Sequence, residues 1–331
     1  MNEKENKQKT GLRPGQLLRF LIFLGIFLLL FVRVSDILEF KSLTPPWNMT
    51  LKVGGFYNEP KDSMDVMFFG SSHMYCSIDP ALFQEETGLT SYVFATQSQP
   101  LWITYHYIRE ALKRQSPHTI FLEIHMASFL EEYEDEGTNY SAIDPIPFSL
   151  NKLEMIRASV PSGQRHEYVF NIIKYHSRYN ELTPQDYDLS FKKETDPERG
   201  YVRLTQAASD EDWDRVYRSV DHVAASASPG EKNLFYLRKI IELAREENLR
   251  LILFKAPSNP TEEEQMIYRY VADLCRQEGL EFGNFNSDAH MQAIGLDTET
   301  DFYDRRHLNT SGVAKFVPYF ADYFHLSKAG E

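Results

Sequence analysis

Short apolar runs that alternate with stretches of helical periodicity constrain this chain most, because parallel strands need a crossover between them and the crossover covers a face of their sheet. DVMFFG (65–70) has the length and composition of a buried strand. The segment DPALFQEETG after it carries helix punctuation, with Asp79 at the N-cap, Pro80 at the first helical position and Gly88 past the end. The rhythm repeats in TSYVFA (90–95), a helix over 100–113 with Leu101, Tyr105, Ile108 and Leu112 on one stripe, and TIFLEI (119–124). It resumes with a helix over 233–249 and RLILFKAP (250–257). A further helix is opened by Thr261 and Glu264 at capping-box spacing and closed by Gly279, and LEFGNF (280–285) ends the series. This order predicts an α/β fold, a flavodoxin-like three-layer α/β/α sandwich with a parallel sheet of about five strands. The segment 126–230 interrupts the order with charged and aromatic stretches, and is expected as a large, partly helical insertion after the third strand, lying over the site end. Ligands of such sheets bind beyond the carboxyl ends of the strands, so chemistry is expected in the loops after Gly70, Ala95, Ile124, Pro257 and Phe285.

A second feature fixes where the chain works. LLRFLIFLGIFLLLFV is unbroken from Phe20 to Val32, and with Arg19 and Arg33 snorkelling it supplies about the 18 residues that cross a bilayer. Lys4, Lys7, Lys9 and Arg13 precede it and place the N-terminus in the cytoplasm by the positive-inside bias. RVSDILEF after it lacks an A-x-A-like cleavage pair, which favours an uncleaved signal-anchor over a cleaved signal peptide. The expected organisation is a cytoplasmic tail (1–16), a single transmembrane anchor (17–34) whose partner is the lipid bilayer, a linker rich in Pro, Gly and Asn (35–61), and an extracytoplasmic α/β domain (62–326). Residues 1–34 hold six basic and two acidic side chains, so of the net charge of −13 the remainder carries −17. A body this acidic repels nucleic acid and anionic lipid, which argues against a DNA-binding or membrane-surface role for it. Two cysteines, Cys76 and Cys275, supply neither a disulfide framework nor a C-x-x-C motif, and read as buried thiols.

Two polar constellations stand at ends of these elements. GSSH follows the first strand, where a sharp turn exposes a serine hydroxyl and turns backbone N–H groups toward it. DFYDRRHLNTSG (301–312) places Asp304 and His307 three apart, just ahead of a helix that Asn309 or Thr310 can cap. A serine nucleophile needs a base, and the base needs an orienting acid. Each stretch alone reads as an ordinary turn or cap; a parallel sheet would bring the two together.

On these residues the chain resembles the SGNH/GDSL hydrolase superfamily. VMFFGSSHMYCSIDP is similar to its first block, with Gly-Ser-Ser for Gly-Asp-Ser, and DRRHLNTSG to its last. The resemblance implies Ser72 as nucleophile, His307 as general base and Asp304 as its orienter, with Ser71 the competing hydroxyl and no cofactor or metal. With the N-terminal anchor, it points to membrane-tethered branches such as those of lipoteichoic-acid D-alanylation and alginate O-acetylation. The implied function is an esterase or O-acyltransferase on acyl groups of an envelope glycan or other acylated polymer, alongside a membrane-embedded acyl donor protein. Two oxyanion donors of the family are replaced. ATQSQP stands at the second block, leaving Thr96 or Gln97, and HMAS follows the third strand where the family has asparagine, leaving Gln97 or His125. The alternative is therefore a catalytically impaired accessory or glycan-binding subunit of an acylation system. Glu123 and His125 share a strand face and read as a hydrogen-bonded pair rather than metal ligands. His176 and Arg178 suit an anionic or sugar group, or else a salt-bridged surface, and Lys255 is a candidate pocket lysine.

Overall fold

Helix α1 (Pro14–Leu38) carries the apolar run, with a mean hydropathy of 2.5 over its best 18-residue window and its side chains facing outward. The computed structural model describes residues 14–129, 136–209 and 219–327. These fall into two units, one drawn from Met1–Phe40 and Phe170–Leu189, the other from Lys41–Val169 and Ser190–Glu331.

In the larger unit, α2 (Met49–Phe56) precedes β1 (Val66–Phe69), followed by the single turn α3 (Ser72–Tyr75), α4 (Pro80–Thr87), β2 (Ser91–Val93), α5 (Leu101–Ala111) and β3 (Thr119–Glu123). The long connection to the next strand contains α6 (Glu136–Ile143), α7 (Leu150–Ser159) and α8 (Arg165–Val169); the other unit receives α9 (Asn171–Tyr175) and α10 (Pro184–Tyr187). Then come α11 (Glu231–Glu246), β4 (Arg250–Lys255), α12 (Glu262–Glu278), β5 (Glu281–Asn284), α13 (Asp288–Ile294) and α14 (Thr310–Tyr323). The five strands form one all-parallel sheet in the order β2-β1-β3-β4-β5.

Strand burial explains the sequence pattern. Every residue of β1, β2 and β3 is buried, so these strands read as continuous apolar runs rather than alternating ones. Their side chains still alternate in space. Met67, Phe69, Ile120, Leu122, Leu251 and Leu253 join one core cluster with residues of α2, α5, α11 and α12. Val66, Phe68, Phe121, Ile252 and Phe254 join a second with residues of α4, α13 and α14.

Helix punctuation matches its chemistry. Asp79 accepts from Ala81 N and Leu82 N, Thr261 and Glu264 close a capping box, and Gly88 and Gly279 end their helices in the left-handed conformation. The stretch expected as a linker (35–61) differs: it holds the end of α1 and then α2, whose Val53 and Phe56 are fully buried. The Gly-Gly pair that signals a loop has a packing reason here, since a Cβ on Gly55 would lie 2.5 Å from Asp196 N. That close approach belongs to a segment running along the sheet edge. Arg199 O accepts from Val93 N at 2.9 Å, and a Cβ on Gly200, at φ +89°, would lie 1.8 Å from Val93 O.

In the smaller unit, segment 170–189 is tied to the end of α1. Arg33 Nη2 donates to Tyr187 O at 3.1 Å, Arg178 Nη1 to Leu38 O at 2.6 Å, and Asn171 Nδ2 to Glu39 Oε2 at 3.1 Å.

Candidate active site

β1 leaves the sheet at Gly70, where a Cβ would lie 3.0 Å from the Cβ atoms of both Glu123 and Met74. Glycine is what lets the chain turn here against β3. Ser71 stays extended (φ −113°, ψ −154°) and its carbonyl accepts from Met74 N and Tyr75 N, so Ser72 becomes the first residue of α3 with its side chain half-buried. Ser71 Oγ is buried and has no hydrogen-bond partner among the described residues, which leaves Ser72 as the hydroxyl turned to the opening.

The second half of the site is a braced loop. Phe302 and Leu308 form an antiparallel bridge, and Tyr303 N donates to His307 O at 2.9 Å. Asn309 caps α14 by accepting from Ser311 N and Gly312 N, while its Nδ2 donates back to Thr300 O at 2.8 Å. Gly312 lets the helix approach, since a Cβ there would lie 2.2 Å from Asp301 O. Asp301, fully buried, accepts from Ser311 Oγ and Lys315 Nζ at 2.6 Å each. At the loop tip Asp304 Oδ1 accepts from Arg306 N at 2.7 Å and His307 N at 2.9 Å.

These two pieces meet. His307 Nε2 lies 2.9 Å from Ser72 Oγ, and His307 Nδ1 lies 2.9 Å from each oxygen of Asp304. With a carboxylate on one side and a hydroxyl on the other, the network assigns the proton to Nδ1 and leaves Nε2 to accept from Ser72. Burial pushes the Asp304 carboxyl up, but the His307 ring and the two backbone N–H groups outweigh it and hold the acid below the usual carboxylate range.

Beneath the serine lies a buried polar network. Lys255 Nζ has three acceptors for its three protons: Glu123 Oε1 at 2.9 Å, Ala256 O at 3.0 Å and His73 Nδ1 at 3.1 Å. Neither Lys255 nor Glu123 is exposed to solvent in this ion pair. Burial lowers the lysine's pKa, and Glu123 opposes the shift. Because the lysine donates to Nδ1, His73 carries its proton on Nε2. His125 packs on it with ring centroids 3.7 Å apart, and the His73 ring lies 5.1 Å from that of His307. His125 Nδ1 lies 2.9 Å from the Tyr268 hydroxyl. The Ser128 hydroxyl donates to His125 O at 2.6 Å and its oxygen lies 3.4 Å from the Tyr268 hydroxyl, so with the Tyr268 proton assigned to the nearer acceptor, Nδ1, His125 too is an Nε2–H tautomer. Burial, helped by Lys255, His307 and Arg306, pushes both imidazoles well below the usual histidine range and keeps them neutral.

Ser72, His307 and Asp304 are thus joined directly, His125 and Lys255 reach them through the His73 ring, and Ser71 is buried just ahead of Ser72. Thr96 lies in the loop after β2, but its hydroxyl is committed to Gln99 Oε1 at 3.0 Å, and Gln99 in turn to Thr104 at 3.0 Å. Gln97 is exposed. His176 and Arg178 belong to the smaller unit, where His176 Nδ1 lies 2.6 Å from Ile173 O and Arg178 bonds Leu38 O and, at 3.1 Å, Asp186. Arg178 thus forms the salt bridge that the sequence offered as the alternative to ligand binding. The sequence reading missed His73 and Tyr268. His73 adjoins the serine in GSSH, whereas Tyr268 sits mid-helix on α12 with no local signal. No protein-family model and no curated protein matches this chain.

Proposed function

We propose that this chain is a membrane-anchored SGNH/GDSL-type serine esterase or O-acyltransferase that acts outside the membrane on acyl groups of an envelope polysaccharide or related polymer. On this reading the larger unit is a flavodoxin-like three-layer sandwich, interrupted by an insertion at about 126–230. The observation that carries it is the 2.9 Å contact between Ser72 Oγ and His307 Nε2, continued at 2.9 Å to Asp304. Ser72 attacks the ester carbonyl as His307 takes its proton, and Asp304 stabilises the imidazolium that results. Collapse of the tetrahedral adduct breaks the ester C–O bond, His307 protonates the departing alkoxide, and Ser72 keeps the acyl group. Water then gives hydrolysis, or a sugar hydroxyl gives transfer, with His307 again as base. The oxyanion is received by the Ser72 backbone N–H and the His125 Nε2–H, a neutral donor in the place where the family has an asparagine amide.

Treating the full chain with a fluorophosphonate probe and mapping the modified peptide tests this. Modification at Ser72, lost in Ser72→Ala together with hydrolysis of a short p-nitrophenyl ester, is the expected result. An unmodified Ser72, with cellular function retained by Ser72→Ala, would sink the enzymatic reading and leave the accessory glycan-binding role.

A further inference from the structure

A helix of 25 residues is roughly 37 Å long, against about 30 Å of hydrocarbon in a bilayer. If α1 spans, its last turns from Arg33 to Leu38 therefore emerge among the lipid headgroups. Segment 170–189 is fastened to that end. The Phe170 ring meets Phe31 edge-on with centroids 6.3 Å apart, and Phe31 lies inside the apolar run. A residue touching Phe31 sits at the acyl boundary. Arg33 holds Tyr187 through its carbonyl, and Arg178 bridges Leu38 O, Asp186 and the face of Phe40, whose ring lies 5.5 Å away. With Arg178 and Asp186 turned inward, large apolar side chains face out: Phe170 is 47% exposed, Ile173 41%, Tyr179 73% and Tyr187 54%. Four such residues in one short stretch are costly in water and suited to an interface, where phenol rings sit with the body in apolar surroundings and the hydroxyl wet.

We propose that 170–189 is an interfacial foot. It lies in the headgroup–acyl boundary of the leaflet from which α1 emerges, with Phe170 and Ile173 against acyl chains, Tyr179 and Tyr187 at headgroup level, and lipid as the occupant of its exposed face. The proposal rests on α1 spanning the bilayer.

Nitroxide labels in the full chain, reconstituted in phosphatidylcholine/phosphatidylglycerol vesicles, test both levels. The labelled variants are Phe170→Cys, Ile173→Cys and Tyr179→Cys, with Phe23→Cys in mid-α1 as the deep reference and Glu85→Cys on exposed α4 as the aqueous one. Cys76 and Cys275 are buried, so the unsubstituted chain gives the labelling background. The expected result is a ratio of oxygen to nickel-chelate accessibility several-fold above that of position 85 and below that of position 23. Labels at 170, 173 and 179 that match position 85 while position 23 is deep would overturn the foot and leave the anchor. Labels shielded from both reagents would mean that protein, not lipid, covers this face, and would also overturn it. An aqueous position 23 would remove the anchor and the foot together.

Discussion

At the residue scale the site depends on where two protons sit. An amide offers a donor by its covalent structure, but a histidine offers Nε2–H only if Nδ1 is made to accept and the ring stays neutral. The first condition holds for His125 with the Tyr268 proton assigned to Nδ1, and burial supplies the second. His125→Ala should therefore lower kcat by about 100-fold or more, the usual cost of one oxyanion donor, and slow fluorophosphonate labelling of Ser72 in parallel. His125→Asn should recover part of the loss by returning an amide donor. Equal rates in wild type and His125→Ala, with Ser72 still labelled, would remove His125 from the oxyanion site without touching the nucleophile. Ser72, Asp304 and His307 were legible because each sits in a short stretch whose chemistry is local. The role of Lys255 was not, because its partners Glu123 and His73 are 132 and 182 positions away and only folding sets them around one ammonium.

At the element scale the helices that cover one sheet face are clamped by a buried histidine. His106 on α5 lies 2.7 Å from Asn151 Oδ1 on α7, whose Nδ2 donates to His106 O at 2.9 Å and Glu110 Oε1 at 2.6 Å. Burial lowers the His106 pKa to about 4. The unfolded imidazole binds a proton near pH 6.5, as about the ordinary histidine value. Between these values protons favour the unfolded chain, so this stabilisation is complete above the unfolded pKa and is lost as pH falls toward 4. The loss on going from pH 7 to pH 5 is about 2 kcal/mol. Melting the full chain in detergent at both pH values should show this sensitivity reduced in His106→Gln; an unchanged difference would place the acid-sensitive step elsewhere. Strands and capped helices were legible from composition and punctuation, because all of β1 to β3 is buried and each cap is a local hydrogen bond. α2 was not, because Gly54 and Gly55 in its own sequence argue for a loop, and the reason for Gly55 is the distant backbone of Asp196. The chain 170–189 was likewise opaque as part of 126–230, since its partner is α1 and sequence proximity gives no hint of that pairing.

At the scale of the whole molecule, the described residues hold one helix long and apolar enough to cross a membrane, and if it spans, its orientation sets the compartment in which Ser72 works. An esterase of envelope polymers needs that body outside, so the proposed function and the topology of α1 stand or fall together. Orientation follows the bias of Lys and Arg in short flanking segments rather than net charge, so the acidity of the body is a weak determinant and the short N-terminal segment a strong one. Lys4, Lys7, Lys9 and Arg13 lie ahead of the helix, beyond the described residues, while Arg33 lies in its last turns and Lys41 and Lys52 follow it. Replacing the first four by Glu leaves the basic residues concentrated on the far side and reverses the pull of an inside-negative potential on the N-terminal segment, worth about 2.3 kcal/mol per charge per 100 mV. In cells expressing the full chain, protease added from outside should digest the body of the wild type. The fourfold variant should retain its body in the cytoplasm, protected until the membrane is opened, with polymer acylation altered as in Ser72→Ala. Protection of the wild-type body before the membrane is opened would put Ser72 on the cytoplasmic side and exclude an extracytoplasmic substrate, whatever the chemistry of the triad.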